Sequence, residues 1–538
     1  MQTLVALLTV TGLAPGASIT LPHGLTAAGL ALEVTSVMPD RVTPIRVSAS
    51  DDTNVTFVND GNQAESAIFL ARRDHSMQQD GSVKSVWAGA GTSGGATTEA
   101  INLYVETTGD DDAAGTAAAP LRTIQAAVNR VPRFIRHPVN IHVGAGDFAG
   151  ASIAGFTVGN AAVAADGAYL RIVGTKVLVT PATGVATGTA TSGVAGTSTT
   201  WGTLTLTGAG WTPADFDGKL IEILSGTGVG QVRPIQTNTD EVVTIVGPWT
   251  TAPAADSVFG IYEWATTLVS GVAMPTTAAG ASTAPPAALL VYSITSQEGQ
   301  GSTYAQISAE WLKFKTVGNV LAVALRSAAS VLVSNSRFDL VPYTAVGASN
   351  NGLSLESCSF EMASGKVGCS ASAGMSIYLR HIYAKTTGTA QFFYAASGSA
   401  GIGSGLGLSY IYVVGAGTHF NLGQAIGSIL GIKSTGATTA FSGGFGMQVN
   451  SSDISSATTA VKVDDNRYAI RLTGVTGAGN TTAVLVTNGG NVFVSSTCTL
   501  TGTTEISIDG AASDFATMRA ATPKYVVDAT TGSKVWGT

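Results

Sequence analysis

The sequence predicts an all-β solenoid rather than a single compact globule, and three observations lead to this fold class. Phe338, Phe360 and Ile382 follow one another at intervals of 22 residues, and a repeat of 20 to 30 residues is typical of solenoids. Glycine accounts for 66 of the 538 residues, which suits a chain with many tight turns. Charged residues make up only 11% and hydrophobic residues 45%, so the chain is expected to fold rather than to stay disordered.

The segment from Leu103 to Phe148 has the most informative order of elements. A short apolar strand precedes an acidic turn, "GDDDAAG" at 109–115, and a helix and an alternating strand at 139–143 follow. Pro120 is expected in the first turn of the helix, where its missing N–H costs nothing, and Pro132 is expected to end it. The apolar face of this helix is formed by Ile124, Ala127, Val128 and Val131.

This order, with "YVETTGDDDAAGTAAAPLRTIQAAVNRVP" followed by "VNIHVGAGDF", resembles the opening segment of pectate-lyase-like right-handed parallel β-helices. The resemblance implies a right-handed parallel β-helix whose helix covers the open end of the coil. We therefore predict the opening of the β-helix with its capping helix at 100–182 and the main β-helix at 265–510. The acidic turn could bind Ca²⁺, but it lacks the later bidentate Glu of an EF-hand loop, and a structural role is favoured.

Residues 1–87 are expected to form a small β-sandwich. Strand-like runs such as "NVTFVND" alternate with Asp, Asn and Gly turns. The first Lys or Arg is Arg41, so the apolar run from Leu4 to Val10 is interpreted as a first strand rather than as a secretory leader. The order of these runs is similar to an N-terminal module of bacteriophage virion proteins, which implies docking to the virion. A Gly/Ser/Thr-rich linker is predicted at 88–99.

Two further segments interrupt or end the repeat. Residues 183–264 contain short alternating strands and are predicted to form a small inserted β-barrel, similar to an insert of phage and bacterial β-helix proteins. Trp211 and Trp249 in this insert could stack on sugar rings or could fill its core. Residues 511–538 are predicted to form a C-terminal cap or trimer clasp, with a helix at 514–521 and a strand at 525–527.

The repeat places the candidate site residues, because residues one period apart stack on the same face. It predicts columns of Asp339 with Glu361, of Arg337 with Ser359 and His381, of Ser336 with Cys358 and Arg380, and of Ser334 with Glu356 and Tyr378. Asp339 and Glu361 are the candidate catalytic pair, since two carboxylates can act as acid and base in glycoside cleavage. An alternative is a solvated charge ladder or a contact between subunits. The candidate glycan-binding residues are Glu356, Arg337, Arg380, His381, Trp211 and Trp249.

The resemblance to tailspike and head-spike proteins of bacteriophages implies a homotrimeric appendage on the virion that adheres to host-surface polysaccharide. Alternatives are a polysaccharide depolymerase on the same scaffold, a capsid decoration spike without host contact, and a secreted bacterial β-helix protein. Enzymatic activity is left open, and the residues favour a non-enzymatic role. The three cysteines have no metal-binding spacing, and no metal or other cofactor is predicted. A net charge of −7 argues against nucleic acid, and no apolar run reaches the roughly 18 residues of a membrane span.

Overall fold

The structure is a computed structural model in which two compact units are distinguished, Met1–Gly89 and Ala90–Thr538. It describes residues 5–14, 17–22, 32–36, 45–50, 54–59, 65–73, 96–159, 168–272, 286–292, 294–296, 307–315, 320–326, 330–339, 352–371, 376–395, 405–423, 425–509, 511–513, 525–527 and 533–537. The greater part of the predicted linker and the predicted helix at 514–521 lie outside these residues. Among the helices described, none is long and apolar enough to cross a membrane.

The described part of the N-terminal unit contains strands β1 (Val5–Leu13), β2 (Ser18–Pro22), β3 (Leu32–Ser36), β4 (Ile45–Ser50), β5 (Asn54–Asn59) and β6 (Glu65–Arg73). They form two antiparallel three-stranded sheets, in the orders β1-β6-β3 and β2-β5-β4. Strand β1 confirms that the run from Leu4 to Val10 contributes a first strand. That the two sheets pack as a sandwich and dock on a virion stays a prediction.

The second unit opens with β7 (Ile101–Val105), α1 (Ile124–Arg130), β8 (Phe134–Ile135), β9 (Pro138–Val143), β10 (Gly146–Ala149), β11 (Ala151–Ala154), β12 (Thr157–Val158) and β13 (Tyr169–Val173). Helix α1 begins later than predicted, because Leu121 is still extended and exchanges backbone hydrogen bonds with the strand that contains Tyr104. Thr123 caps the helix by accepting from the Ala126 N–H. Its predicted apolar face is confirmed, since all four residues are buried.

The acidic turn before α1 has a structural role. Asp111 accepts hydrogen bonds from the backbone N–H groups of Arg122 and Thr123 at 2.9 and 2.8 Å, and the Thr123 hydroxyl donates to its other oxygen. Arg130, in the last turn of the helix, returns to the carbonyl oxygens of Asp111 and Ala113. The turn therefore fastens both ends of α1 to the first coil, as the structural interpretation of the sequence expects.

An inserted domain interrupts the coil between β13 and its continuation. It consists of β14 (Lys176–Leu178), β15 (Thr187–Thr189), β16 (Ser192–Val194), β17 (Thr203–Thr205), β18 (Leu220–Ser225), β19 (Val232–Asn238), β20 (Val242–Ile245) and β21 (Val258–Trp264). These eight strands form one antiparallel sheet in the order β14-β21-β18-β19-β20-β17-β16, with β15 also on β21. The sheet encloses its own core, which includes Trp211, Phe216, Trp249 and Phe259.

The coil resumes where the inserted domain ends. Its strands are β22 (Thr266–Ser270), β23 (Ala287–Tyr292), β24 (Thr295–Ser296), β25 (Ile307–Glu310), β26 (Leu312–Phe314), β27 (Leu321–Arg326), β28 (Ser330–Ser334), β29 (Arg337–Asp339), β30 (Gly352–Glu356), β31 (Ser359–Met362), β32 (Val367–Ala371), β33 (Ser376–Thr386), β34 (Gln391–Ala395), β35 (Gly405–Gly415), β36 (Thr418–Gly423), β37 (Ile426–Leu430), β38 (Lys433–Thr435), β39 (Thr439–Gly443), β40 (Phe445–Asn450), β41 (Asp453–Ser455), β42 (Thr459–Val463), β43 (Ala469–Thr473), β44 (Thr476–Val486), β45 (Asn491–Val494), β46 (Thr499–Ile508) and β47 (Ala511–Ser513). Strand β22 pairs in parallel with β10, and β25 pairs in parallel with β13. The stack therefore continues across the insertion as a parallel β-helix, which confirms the predicted fold class.

The register confirms one predicted period and corrects the next. Phe338 pairs with Phe360, 22 residues later, as expected. Phe360 then pairs with Ala384 rather than with Ile382, because this turn of the coil is two residues longer. A shift by two residues keeps each side chain on its face of the sheet, so the faces were assigned correctly while the partners in the third rung were not.

Aromatic side chains stack inside the coil from rung to rung. Phe314, Phe338 and Phe360 form a stack with ring centroids 4.9 and 4.4 Å apart. Phe420 and Phe441 repeat the arrangement further along at 4.9 Å. All five rings are buried, and each such pair adds about 0.5–1.5 kcal/mol to the free energy gained from burial.

The C-terminal strands end the parallel stack with antiparallel partners. Strand β47 folds back on β46, and β48 (Tyr525–Val527) pairs antiparallel with β49 (Lys534–Gly537). Strand β49 in turn lies parallel on β45. The predicted strand at 525–527 is thus confirmed, and β49 covers an edge of β45 that would otherwise be open to pairing with another chain. A role as a trimer clasp stays a prediction.

Candidate functional site

The inserted domain and the β-helix enclose a cleft of about 790 Å³, here called the insert cleft. The β-helix contributes residues of β26, β29, β31, β33 and β35, and the inserted domain contributes residues of β19, β21 and the loop before β18. The lining residues are Ala214, Asp217, Lys219, Gln236, Thr237, Glu263, Trp264, Lys313, Arg337, Phe360, Glu361, Tyr383, Lys385, Thr386, Tyr412, Val414 and Gly415.

The β-helix wall of the insert cleft contains the predicted carboxylate pair. Asp339 and Glu361 are register partners on β29 and β31, as the repeat predicts. Arg337 forms ion pairs with both carboxylates, and the Lys313 ammonium lies 3.2 Å from the second oxygen of Asp339. Asp339 is 8% exposed, so its two oxygens are fully engaged by cations. Glu361 keeps a side chain that is 47% exposed and is the carboxylate of the pair that a ligand can reach.

The wall formed by the inserted domain contains a carboxylate that the sequence analysis missed. One oxygen of Asp217 is buried without a hydrogen-bond partner. Burial raises the pKa of Asp217, and a hydrogen bond from Thr237 and the positive charge of Lys385 offset part of this shift. Lys219 and Glu263 form an ion pair on the same wall. Asp217 is therefore the cleft carboxylate with the strongest tendency to hold a proton.

Two tyrosines lie between the walls of the insert cleft. Tyr383 and Tyr412 are register partners on β33 and β35, and their ring centroids are 5.7 Å apart. Burial is the largest cause of the raised pKa of each phenol, and the charge of Asp217 adds to it. The hydroxyls therefore stay protonated at neutral pH and can donate a hydrogen bond to a bound oxygen atom.

His381 does not join the predicted column with Arg337, because Tyr383 occupies that place beside Ser359. His381 has a φ of 53° and is fully buried. Its Nδ1 lies 2.9 Å from the Val246 carbonyl oxygen in the inserted domain, and its ring stacks on Tyr410 at 5.2 Å. Burial and the nearby Arg233 hold the pKa of His381 well below its usual value. His381 fastens the inserted domain to the β-helix and is not accessible to a glycan.

Glu356 and Arg380 lie near each other but do not line the insert cleft. Ser334 pairs with Glu356 as predicted, whereas the next residue in the column is Arg380 rather than Tyr378. The closest charged atoms of Glu356 and Arg380 are 3.9 Å apart, and both side chains are about half exposed. The prediction that Arg380 stacks with Ser336 and Cys358 is wrong for the same reason, the longer rung.

The tryptophans proposed for sugar stacking fill the core of the inserted domain. Trp211 and Trp249 are each 2% exposed. Their indole N–H groups donate to the carbonyl oxygens of Val185 and Thr203 at 2.8 and 3.1 Å. Neither ring offers a face to a ligand, so the alternative interpretation, that these residues pack the core, describes them correctly.

The sequence contained little signal for Asp217 and Lys385. Asp217 lies in the run "PADFDGK", which has the composition of an ordinary turn, and Lys385 is one period beyond Glu361 only when the 24-residue rung is known. Both reach the cleft because the inserted domain folds back on its own β-helix. Within the described residues, no group of three or more His, Cys, Asp or Glu side chains is arranged to hold a metal ion.

Comparisons with known proteins find similarity in structure only. No protein-family model and no curated protein matches the chain. The catalytic domain of a GH87 α-1,3-glucanase solved with nigerose is 11% identical and has a TM-score of 0.35, with 99% of this chain and 89% of that chain covered. A GH136 lacto-N-biosidase from Eubacterium ramulus is 9% identical with a TM-score of 0.31, over 76% and 68% of the two chains. The tailspike gp61 of Pseudomonas phage phi297 is 11% identical with a TM-score of 0.26, over 72% and 68%.

Proposed function

We propose that this chain is a virion appendage that binds a surface polysaccharide in the insert cleft. The observation that carries the proposal is the concentration of fixed polar groups there. Only 11% of the chain is charged, yet seven charged side chains and two tyrosines line this one cleft. Its volume of about 790 Å³ lies within the usual range of ligand sites, roughly 300–1,000 Å³.

The chemistry of the lining suits a polyhydroxylated ligand. Sugar hydroxyls both donate and accept hydrogen bonds, and hydrogen bonds to ionised partners are about twice as strong as neutral ones. Ion pairs such as that of Arg337 with Glu361 hold the donors and acceptors in place before a ligand arrives. Preorganised polar groups lose less entropy on binding. Glu361 and Lys385, which are register partners in neighbouring rungs, are the proposed contacts on the β-helix wall.

The placement on a virion rests on the sequence resemblances at 1–87 and 103–148. In this proposal residues 1–87 dock on other virion proteins, the chain assembles as a homotrimer, and the β-helix projects towards the host surface. A capsid decoration spike without host contact is the competing role. Labelling purified virions with an antibody against residues 265–510 separates the two, because label at the tail supports host binding and label over the head supports decoration.

Glycan binding is tested with the full chain and purified host-surface polysaccharides. The double variant Glu361→Gln, Lys385→Met is expected to weaken binding at least tenfold. The control is Asp464→Asn, Lys462→Met, which removes an exposed ion pair with a closest approach of 3.1 Å in a later rung. Equal affinity of both double variants and the unaltered chain would show that the insert cleft is not the binding site.

A second candidate function, glycoside hydrolysis in the same cleft, is favoured by the raised pKa of Asp217. A carboxyl group that keeps its proton can act as the general acid that protonates the leaving oxygen. Glu361 would supply the second carboxylate, as a base for water or as a nucleophile. Asp339, which is engaged by Lys313 and Arg337, would position Arg337 rather than touch the substrate.

The hydrolysis candidate is tested by reducing-end release from the polysaccharide that binds. Asp217→Asn is expected to abolish cleavage while binding is retained, and Asp240→Asn, an exposed residue of the same inserted domain, is expected to have no effect. Because the Asp217 pKa is raised, activity should fall at a pH above the ordinary range of an aspartate, as the acid loses its proton. Retained cleavage in Asp217→Asn would exclude this assignment without affecting the binding proposal.

A further inference from the structure

A second groove lies on the outer face of the late rungs, apart from the insert cleft. Its volume is about 310 Å³, and it is lined by Gly446, Met447, Gln448, Ala469, Ile470, Arg471 and Phe493. We call it the bulge groove, because the pairing of β40 with β43 shifts register between Phe445 and Met447. β-Bulges occur preferentially where a strand has to redirect side chains, often beside functional sites.

The bulge creates the floor of this groove. Gly446 has a φ of 77°, which glycine adopts without strain, and no atom lies within 4 Å of the position where a Cβ would stand. The neighbouring Phe445 is turned outward and is 48% exposed. The backbone of Gly446 and the methyl group of Ala469 are thus left as a shallow apolar floor.

One outward column forms the polar and aromatic wall. Gln448, Arg471, Phe493 and Trp536 are successive register partners. The rings of Phe493 and Trp536 are stacked, with centroids 6.0 Å apart and an angle of 10° between their planes. Trp536 therefore holds the Phe493 ring in one orientation. No carboxylate is paired with Arg471 in the part of the chain that the structure describes.

We infer that the bulge groove binds an acidic sugar residue, such as a uronic acid unit of a polysaccharide. A guanidinium group recognises a carboxylate through two parallel hydrogen bonds, and Arg471 supplies one beside the amide of Gln448. The apolar floor and the Phe493 ring fit the C–H face of a pyranose. The groove volume, near the lower end for ligand sites, suits one or two sugar units rather than a peptide segment.

The bulge groove is a site of its own and does not depend on the insert cleft. The outward column runs from Ser354, in the rung of Glu361, through Tyr378, Gly407, Ser428 and Gln448 to Arg471. Five steps of about 4.8 Å per rung separate the two ends by roughly 24 Å along the coil. A single polysaccharide chain that reaches both sites would bind with added avidity.

The test titrates the full chain with D-glucuronate and with D-glucose, followed by ligand-observed NMR. Glucuronate is expected to bind at least tenfold more tightly than glucose, and Arg471→Gln is expected to remove that preference. The matched control is Arg467→Gln, because Arg467 is an exposed arginine that is already paired with Asp465 at 2.6 Å. Phe493→Ala should weaken both sugars.

Three outcomes would overturn the inference. Glucuronate binding that is unchanged in Arg471→Gln but lost in Lys385→Met would place the probe in the insert cleft. Absence of any difference between glucuronate and glucose would remove the argument from charge. A change in the molar mass of the particle by light scattering in Arg471→Gln or Phe493→Ala would instead make the groove a contact between copies of this chain.

Discussion

Two parts of the same β-helix differ sharply in how they use charge. The rungs from Leu312 to Thr386 lie against the inserted domain and contain Lys313, Arg337, Asp339, Glu361 and Lys385 on their outer faces. The rungs from Thr386 to Gly443 contain Lys433 and no Asp, Glu or Arg. Both parts stack phenylalanine rings inside the coil. The interior thus supplies a uniform scaffold, and charge is added where a second domain forms a cleft with it.

The shared interior is tested by truncating one ring of the stack. Phe420→Ala removes a fully buried side chain and is expected to reduce the free energy of unfolding by about 3–5 kcal/mol. The matched control is Phe445→Ala, since this ring is 48% exposed and surface changes usually stay within roughly 0.5 kcal/mol. Urea unfolding followed by circular dichroism measures both. Similar losses in the two variants would contradict the view that the stack stabilises the coil.

Charge pairs should matter more under the inserted domain than elsewhere. Asp339→Asn leaves Arg337 and Lys313 without their common partner, and breaking such a buried pair costs about 3–5 kcal/mol. Asp464→Asn breaks a pair whose side chains are 37% and 38% exposed, and the expected loss is at most about 1 kcal/mol. The comparison fails if the two variants unfold at the same urea concentration.

Acidification should destabilise the charge-poor rungs through His419. Its Nε2 lies 2.9 Å from the Gly415 carbonyl and its Nδ1 2.7 Å from the Ser434 hydroxyl, so the neutral ring donates to the first and accepts from the second. Burial lowers the pKa of His419 to about 4. Between roughly pH 6.5 and 4 the unfolded chain binds the extra proton, and the free energy of unfolding should fall by about 3 kcal/mol.

The variant His419→Gln should flatten that dependence. The informative quantity is the slope of unfolding free energy against pH, because the substitution also changes the level at neutral pH. His381, whose pKa is also lowered, contributes in the same direction and remains in the variant. An unaltered slope in His419→Gln would assign the effect to His381 or to another group.

The smallest effect is expected outside the cleft, at Glu356. Glu356→Gln breaks a pair with Arg380 whose closest charged atoms are 3.9 Å apart and whose side chains are 44% and 54% exposed. Exposed pairs contribute about 0–1 kcal/mol, and neither residue lines the insert cleft. Stability and polysaccharide affinity should both stay close to those of the unaltered chain. A tenfold loss of affinity would extend the binding site beyond the cleft.

The sequence by itself determined the features that repeat locally. The opening strand, the apolar face of α1 and the columns of Phe338 with Phe360 and of Asp339 with Glu361 all follow from spacing. They follow because residues one period apart are neighbours in a solenoid, so a short stretch of sequence contains both partners. The alternation of faces survived even where the rung was longer than expected.

Only the tertiary structure decided where the cleft lies and which carboxylate it places opposite Glu361. The inserted domain packs back on rungs more than a hundred residues later in the chain, which brings Asp217 near Lys385 and buries His381 beneath Val246. Docking of this kind depends on contacts between distant surfaces, and no periodicity in the sequence records it. The length of the 24-residue rung is similarly set by a turn, and turns tolerate insertions that strands do not.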